Sequence, residues 1–397
     1  MPDSPHLVIN GLSIGSGGGY TVARELFRGI GAARPSWRVT LELLKGYPLH
    51  HEFEGEDLPD NCTLHWAPEA ARPRMARLRY ERGEFLRWLA QSKAAAVMML
   101  NGQTIPGCPV PVFSHNQDPW PYRPEAWNGW KERAIAFVKR REHRRGMRGA
   151  AVYGWTSSYL RELICAHHGI RPRVDDVFYN GLPESWIDRA RTATPVAMAD
   201  RVKTLVTVSN VSVYKRQDLV IRALAELRKR PGLEDLRYCI LGHGDAPEIE
   251  RLRSLAASLG VQDAVDLEGR VPQARVEEAM ATSRAFVLMS VCESFGIPAI
   301  EAMTFGTPVV VSDCCAHPEV CADAAALVRE DDLAHLVESL ARVLTDDAES
   351  ETLARKGLAR AQEFKWSTTV EKMLTRLDPL LERSGSVATK APVAAAP

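Results

Sequence analysis

Short apolar runs of strand length alternate with amphipathic segments along this 397-residue chain, and the alternation occurs twice. Such runs are typical of parallel strands buried on both faces, with the amphipathic segments as covering helices. The first series lies at residues 6–10, 38–44, 94–100, 110–115 and 152–157, and the second at 204–209, 236–242, 264–269, 285–290 and 309–312. Two such series predict an α/β protein with two Rossmann-like domains.

The two series set the expected domain boundaries. The first domain is predicted over residues 1–182 and the second over residues 201–366. Between them, residues 183–200 (PESWIDRARTATPVAMAD) lose the periodicity of their neighbours and are expected to form a linker. Residues 367–383 are predicted to form a helix, and the Ala/Pro/Ser-rich residues 384–397 a disordered tail.

The stretch ESFGIPAIEAMTFGTPVVVSD, residues 293–313, is the most informative local feature. Pro298 suits a first helical turn and Gly306 can end a helix, so a short helix is predicted over about residues 298–305. The loop before it follows a predicted parallel strand, and ligands bind outside the carboxyl ends of such strands. The free N–H groups of Phe295, Gly296 and Ile297 can therefore bind an anion or sugar hydroxyls.

Three charged side chains accompany this loop. Glu301, about one turn inside the predicted helix, can accept both hydrogen bonds of a vicinal diol such as a ribose. Glu293 is expected to contact a different part of the ligand. Lys215 follows the strand at 204–209 by a short loop, and its ammonium can reach a phosphate at the strand ends. Solvated surface side chains are the alternative, but the turn chemistry and both flanking strands agree with a ligand site.

A glycine-rich loop, GSGGGY at residues 15–20, follows the first predicted strand. Its backbone can cradle a pyrophosphate or a sugar, and a plain tight turn is the alternative. A dinucleotide fingerprint starting at Gly15 would need a glycine where Tyr20 stands. A nicotinamide dehydrogenase is therefore disfavoured.

Composition and charge restrict the partners and the location. Fifty basic and fifty acidic residues cancel, so nucleic acid is not an expected partner. The eight cysteines include no C-x-x-C pair and the polar start MPDSPHLVIN lacks a signal-peptide pattern, so we expect reduced thiols, a cytoplasmic location and no structural zinc. No apolar run is long enough to span a membrane.

The E-x7-E pattern of Glu293 and Glu301, together with Lys215, GSGGGY, FSHN at 113–116 and FYNG at 178–181, resembles the retaining nucleotide-sugar glycosyltransferases of family 4. The resemblance covers nearly the whole chain and implies the GT-B fold, in which two parallel sheets face a central cleft. It implies that the second domain holds the donor, the first holds the acceptor, and the last helix crosses back to the first domain.

The resemblance also implies the activity. It points to a hexosyltransferase that moves a sugar from a UDP- or GDP-linked donor to a hydroxyl acceptor, in the synthesis of a surface polysaccharide or glycolipid. The sequence contains no D-x-D pair, the arrangement by which many sugar transferases hold a divalent metal. No metal and no other cofactor is therefore expected, and lysine and arginine must neutralise the leaving diphosphate.

Site residues follow from the same resemblance. His115 and Glu293 are the expected catalytic groups: His115 would face the cleft and contact a sugar hydroxyl or orient the acceptor, and Glu293 would stabilise developing positive charge on the sugar. The departing phosphate would take the acceptor proton. The expected donor-binding residues are Gly18, Gly19, Asn210, Lys215, Arg216, Gly242, Val271, Phe295, Gly296, Ile297 and Glu301.

One position departs from the family pattern. The arginine usually found five positions before the lysine is replaced here by Asn210, and Arg216 is expected to compensate. Because of this departure, a catalytically silent transferase-like subunit is one alternative function. A sugar-nucleotide epimerase of similar fold, which would use the same donor groove without an acceptor, is another.

The segment from Trp120 to Arg148 suggests where the acceptor lies. Four aromatic residues, Trp120, Tyr122, Trp127 and Trp130, precede the basic stretch KERAIAFVKRREHRRGMR. Aromatic residues beside a basic helix suit the headgroup layer of an anionic membrane. This interpretation predicts peripheral binding at the inner face of the membrane and a lipid-linked sugar acceptor. The alternative is a solvated helix whose apolar residues pack on the domain.

Overall fold

The computed structural model describes residues 4–14, 18–45, 53, 58–192 and 196–387. Within them the first sheet has seven parallel strands in the order β3-β2-β1-β4-β5-β6-β7. The strands are β1 (His6–Asn10), β2 (Arg38–Leu44), β3 (Cys62–Ala67), β4 (Ala96–Met99), β5 (Val112–Asn116), β6 (Val152–Trp155) and β7 (Asp175–Val177).

The second sheet has six described parallel strands in the order β10-β9-β8-β11-β12-β13. They are β8 (Val202–Val208), β9 (Arg237–Leu241), β10 (Val265–Gly269), β11 (Ser283–Leu288), β12 (Val309–Ser312) and β13 (Ala326–Val328). The predicted fold class, two Rossmann-like domains with parallel sheets, is confirmed. Strands β3, β7 and β13 were not predicted.

Helices cover both faces of each sheet. Those of the first half are α1 (Gly18–Ala33), α2 (Arg74–Tyr80), α3 (Leu86–Gln91), α4 (Trp130–Gly149) and α5 (Ser158–His168). A π-helical turn over Glu81–Phe85 joins α2 to α3. The later helices are α6 (Glu184–Thr192), α7 (Gln217–Leu227), α8 (Ala246–Ser258), α9 (Gln273–Thr282), α10 (Ile297–Met303), α11 (His317–Cys321), α12 (Leu333–Thr345), α13 (Asp347–Ala361) and α14 (Trp366–Val387).

The central strands are buried on both faces, which explains their continuous apolar sequences. All five residues of β1 are buried, and Leu7 pairs with Val39 of β2 on one side and with Ala96 of β4 on the other. Because both sheets are parallel, their carboxyl ends carry the loops that face each other across the molecule.

The chain crosses between the two domains at two adjacent places. Leu182 N–H donates to Phe364 O over 2.8 Å, so the outgoing and returning segments lie side by side. A Cβ at Gly181 would lie 2.3 Å from the backbone nitrogen of Trp366, and only glycine fits there. Beyond this point α14 packs on the first domain, where Val370, Met373 and neighbouring apolar residues join its core.

The segment predicted as an aperiodic linker contains a helix. Helix α6 occupies Glu184–Thr192 and buries Trp186, Ile187 and Ala190. The Trp186 ring packs edge-on against Phe305 at 5.4 Å, so α6 belongs to the core of the second domain. Its i, i+1, i+4 apolar spacing is helical, although the Thr- and Pro-containing residues that follow obscured it.

No described helix combines the length and apolar character needed to cross a bilayer.

Candidate functional site

A cleft of about 730 Å³ lies between the carboxyl ends of the two sheets. We call it the interdomain cleft. Its lining from the second domain includes Asn210, Lys215, Gly242, Glu293, Phe295, Gly296, Ile297 and Glu301, and its lining from the first includes Ser13, Gly18, Gly19, Arg74, Arg77, Gln117, Asp118, Lys139 and His143. The structure therefore brings most of the predicted donor-binding residues to one place.

The loop before α10 is shaped by its glycine and proline. Gly296 has φ 92° and precedes Ile297, where the helix begins, with Pro298 in the first turn. A Cβ at Gly296 would lie 3.0 Å from the ring of His317, so a side chain is disfavoured by both the backbone and the available space. The helix ends at Met303, earlier than predicted, and the Thr304 hydroxyl donates to Glu301 O over 2.7 Å.

Lys215 and Glu293 form an ion pair in the cleft. Their side chains are each 14% exposed, and the Lys215 ammonium donates to Glu293 Oε1. Burial alone would raise the pKa of Glu293, but the charge of Lys215 and its hydrogen bond to the carboxylate outweigh burial and lower it. The lysine predicted to meet a phosphate is thus already neutralised by the glutamate predicted to meet the sugar. A diphosphate that binds here must either share the Lys215 ammonium with Glu293 or displace Glu293 from it.

Glu301 lines the same wall, and among the described residues its carboxylate forms no ion pair. Burial, with a smaller contribution from Glu277, raises the pKa of Glu301 to about 7. A carboxylate held in this way gains from ligand hydroxyls that donate to it. This is the chemistry expected for a group that binds a vicinal diol.

The loops that follow β8 and β9 also line the second-domain side of the cleft. Gly242 follows β9 with φ 145°, and a Cβ there would lie 2.0 Å from Ser209 O. Gln217 Nε2 donates to Asn210 O over 3.0 Å and fixes the loop after β8. Asn210, which stands where the resemblance leads one to expect an arginine, lines the cleft. This part of the cleft therefore offers a ligand the uncharged side-chain amide of Asn210 and main-chain groups.

The first domain contributes the start of α1 to the cleft. Gly18 and Gly19 begin that helix, and a Cβ at Gly18 would lie 3.9 Å from Ile297 Cδ1 of the second domain. The two walls therefore come into close proximity at this point. Gly15 and Gly17 of the same loop lie outside the described residues.

The predicted position of His115 needs correction. His115 is 1% exposed and is not among the described cleft-lining residues. Its ring packs edge-on to Phe178 at 6.2 Å, and a Cβ at Gly154 would lie 2.8 Å from its Nδ1. Burial lowers the pKa of His115 to about 3, so the ring is neutral. In this conformation its ring lies inside the first domain.

Two residues predicted to contact the donor lie elsewhere in this structure. Arg216 has φ 54°, its guanidinium pairs with Asp218 and Asp331, and it is not among the described residues that line the cleft. Val271 packs against the apolar core of the second domain. The ion pairs with Asp218 and Asp331 explain the position of Arg216, and the apolar side chain explains that of Val271.

His317 was not predicted as a site residue. This fully buried residue of α11 lies under the Gly296 turn, and its Nδ1 is 3.2 Å from Ser312 O and 3.0 Å from Ser312 Oγ. A carbonyl can only accept, so Nδ1 carries the proton and Nε2 faces the turn. Its place just after the end of β12 was the available signal, since ligand sites collect at such strand ends.

The outer face of α4 carries exposed apolar side chains. Trp130 is 75% exposed and Phe137 59%, and Ile135 and Val138 are also exposed. The described buried residues of α4 are Ala136, His143, Gly146 and Met147. The alternative in which the apolar residues pack on the domain is therefore contradicted. Arg140 stacks on Trp127 and Tyr122 of the preceding segment at 5.1 and 5.7 Å, whereas the exposed Arg141 stacks on Phe137 of the helix itself at 5.7 Å.

Within the described residues, no group of three or more His, Cys, Asp or Glu side chains is arranged to hold a metal ion.

Part of the chain, mostly in its second half, is similar to known glycosyltransferases. A family model for glycosyl transferases group 1 matches residues 189–360. A D-inositol 3-phosphate glycosyltransferase of Acidothermus cellulolyticus is 33% identical over 204 residues, 49% of this chain and 45% of that protein. One from Nocardia farcinica is 30% identical over 192 residues, 47% of this chain and 43% of that protein. The matched region thus spans less than half of these relatives.

Solved structures share the whole architecture. Sucrose-phosphate synthase from Thermosynechococcus elongatus has a TM-score of 0.76 at 17% identity, covering 96% of this chain and 100% of that one. HepE of Anabaena, in complex with UDP and glucose, has a TM-score of 0.72 at 17% identity, covering 94% and 100%. At these identities the likeness shows the fold. It is the GT-B fold that the sequence predicted.

Proposed function

Because this chain carries a glycosyl transferases group 1 domain on a GT-B fold, we propose that it moves a sugar from a nucleotide diphosphate sugar, UDP- or GDP-linked, to a hydroxyl acceptor. One observation carries the proposal. Lys215, Glu293 and Glu301 of the second domain line one cleft, opposite the start of α1. A cation, a paired carboxylate and an isolated carboxylate there match the diphosphate, sugar and ribose of such a donor.

Each donor contact follows from the geometry of its residue. Glu301 accepts the ribose hydroxyls, and the free N–H groups at the start of α10 bind phosphate oxygens or sugar hydroxyls. The diphosphate draws the Lys215 ammonium toward itself, and Glu293 then turns its charge to the sugar. Asn210 adds no charge, so this donor site needs the cation of Lys215.

The transfer retains the configuration of the sugar. The acceptor oxygen forms a bond to the anomeric carbon, and the bond from that carbon to the phosphate oxygen breaks on the same face. The acceptor proton passes to the departing phosphate. Glu293 stabilises the positive charge that develops on the sugar. Asp118, the carboxylate that the described first-domain residues contribute to the cleft lining, is paired with Lys139 over 2.7 Å, and the resemblance to family 4 supports retention.

We further propose that α4 rests on an anionic membrane and that the acceptor is a lipid-linked sugar in polysaccharide or glycolipid synthesis. The exposed Trp130, Phe137, Ile135 and Val138 support this, because they stand beside exposed Arg141, Arg144, Arg145 and Arg148. Apolar side chains enter the headgroup boundary, while each nearby cation contributes about 1 kcal/mol at an anionic surface. A cytoplasmic protein bound at the inner membrane face is the resulting proposal.

Incubation with a panel of UDP- and GDP-sugars tests the activity. We expect slow release of nucleotide from one donor without acceptor, and a product linked in the donor's anomeric configuration once an acceptor is supplied. Conversion of the donor to an isomeric sugar without nucleotide release would identify an epimerase. Donor binding with no turnover would identify a silent subunit.

A further inference from the structure

The side of the interdomain cleft formed by the first domain is the proposed acceptor side. Its described lining side chains carry more positive than negative charge. Arg74, Arg77 and Lys139 line it, and Asp118 is the carboxylate among the described lining residues of that side. Lys139 Nζ lies 2.7 Å from Asp118 Oδ2, so that pair is balanced. Arg74 Nη2 lies 2.9 Å from Glu142 Oε2, which balances the second cation.

Arg77 is the cation left over. Among the described residues no carboxylate lies within 4.0 Å of its guanidinium, and its Nη1 donates to Leu12 O over 3.3 Å. The nearby Glu81 is a weak counter-charge, because burial raises its pKa to about 7. A half-buried guanidinium in a cleft, with no carboxylate in direct contact among the described residues, is suited to bind an anionic group of a ligand.

Arg74 can join Arg77 at the same ligand. The two residues are three positions apart on α2, so their side chains leave the same face of the helix. The partner of Arg74 is also held from another side, since Gln103 Nε2 donates to Glu142 Oε2 over 2.9 Å. Arg74 can therefore turn toward an anion without leaving Glu142 unpaired.

We propose that the acceptor carries a phosphate group, bound by the forked guanidinium of Arg77 with help from Arg74. This inference rests on the proposed function, because it names the acceptor class of the same cleft. A planar guanidinium binds a phosphate through two parallel N–H donations, which fixes the orientation of the acceptor as well as its affinity. The phosphate belongs either to a water-soluble sugar phosphate or to a lipid-phosphate headgroup.

The test uses inorganic phosphate, titrated at constant ionic strength and followed by thermal stabilisation. UDP and GDP are first titrated alone, which tests the donor site, and the phosphate titration is then run with the binding nucleotide at saturation. We expect wild-type protein to be stabilised by phosphate and Arg77→Gln to bind phosphate about tenfold more weakly. Arg77→Lys should keep part of the affinity, and Arg79→Gln, on the exposed side of α2, all of it.

Two further arms identify the source of the phosphate. D-inositol 3-phosphate represents soluble esters, and a polyprenyl phosphate in detergent micelles represents lipid headgroups; each is tested for displacement of phosphate and for Arg77 dependence. Displacement by either supports the proposal and names the source. Equal phosphate binding by wild type and Arg77→Gln would overturn it, as would phosphate binding with no displacement by either ester. If neither nucleotide binds while phosphate still binds through Arg77, the donor proposal fails and the anion site stands.

Discussion

Removing Lys215 should expose how strongly the cleft depends on its ion pair. Both side chains of the Lys215–Glu293 pair are 14% exposed. Loss of one partner of a fully buried pair costs about 3–5 kcal/mol, because the other charge is left uncompensated. With the remaining exposure we expect Lys215→Ala to lower the free energy of unfolding by about 2–3 kcal/mol.

A double-mutant cycle separates this effect from lost packing. Glu293→Gln combined with Lys215→Ala removes both charges, so the double variant should recover about 2 kcal/mol of the deficit of Lys215→Ala. The assay is urea unfolding of the four proteins at pH 7.5, with equal slopes required for comparison. A coupling energy near zero, with Lys215→Ala no less stable than the double variant, would refute the account of this pair.

The pH dependence of the stability difference between wild type and Lys215→Ala is an independent test of the ion pair. In the wild type the pKa of Glu293 is lowered, so its contribution to stability is present above the unfolded pKa and lost as the pH falls. In Lys215→Ala burial remains but the main opposing charge is gone, so the folded pKa should lie above the unfolded value. The loss in free energy of unfolding of Lys215→Ala relative to wild type should therefore become smaller as the pH falls from 7.5 to 5. A deficit that grows over this range would contradict the argument.

Three further outcomes follow from the geometry. Nucleotide affinity should fall about tenfold from pH 8 to pH 6, because protonation of Glu301, whose pKa is about 7, removes the acceptor for the ribose diol. Calorimetry on Glu301→Gln should find weak affinity without this pH dependence. Gly242→Ala should lower stability and nucleotide binding, since its Cβ would lie 2.0 Å from Ser209 O; Gly83→Ala, with open space around its Cβ, is the control for thermal unfolding. Wild-type protein should co-sediment with anionic liposomes at low salt and detach as the salt concentration rises. Two variants should each weaken this binding: Phe137→Ser, and a triple variant in which Arg141, Arg144 and Arg145 are all changed to Gln. Unchanged liposome binding in both variants would place the acceptor in solution.

Much of the fold could be predicted because buried parallel strands have a strong sequence pattern. Strand β12 was predicted with the observed bounds, Val309–Ser312, from its run of valines. Strand β3 reads CTLHWA and β7 has three residues, two of them aspartates, so neither shows an apolar run. Such edge strands are stabilised by pairing with a neighbour, which a local pattern does not encode.

Side-chain direction was the harder part of the site. Every residue of β5 is buried, so the strand lacks the polar and apolar alternation that would have shown which way His115 points. Lys215 and Arg216 are adjacent in sequence, yet one faces the cleft and the other meets Asp218 and Asp331. The second of these carboxylates is far away in the chain, and only the folded structure brings it near.

Calorimetric titration of UDP and GDP into wild type and Glu301→Ala tests the central claim most directly, namely that the second domain holds a nucleotide-sugar donor at the loop before α10. We predict that one nucleotide binds the wild type with one site per chain, and that Glu301→Ala binds it at least about tenfold more weakly while melting at the wild-type temperature or above. Absence of binding by both nucleotides, or equal affinity in the two proteins, would contradict the claim.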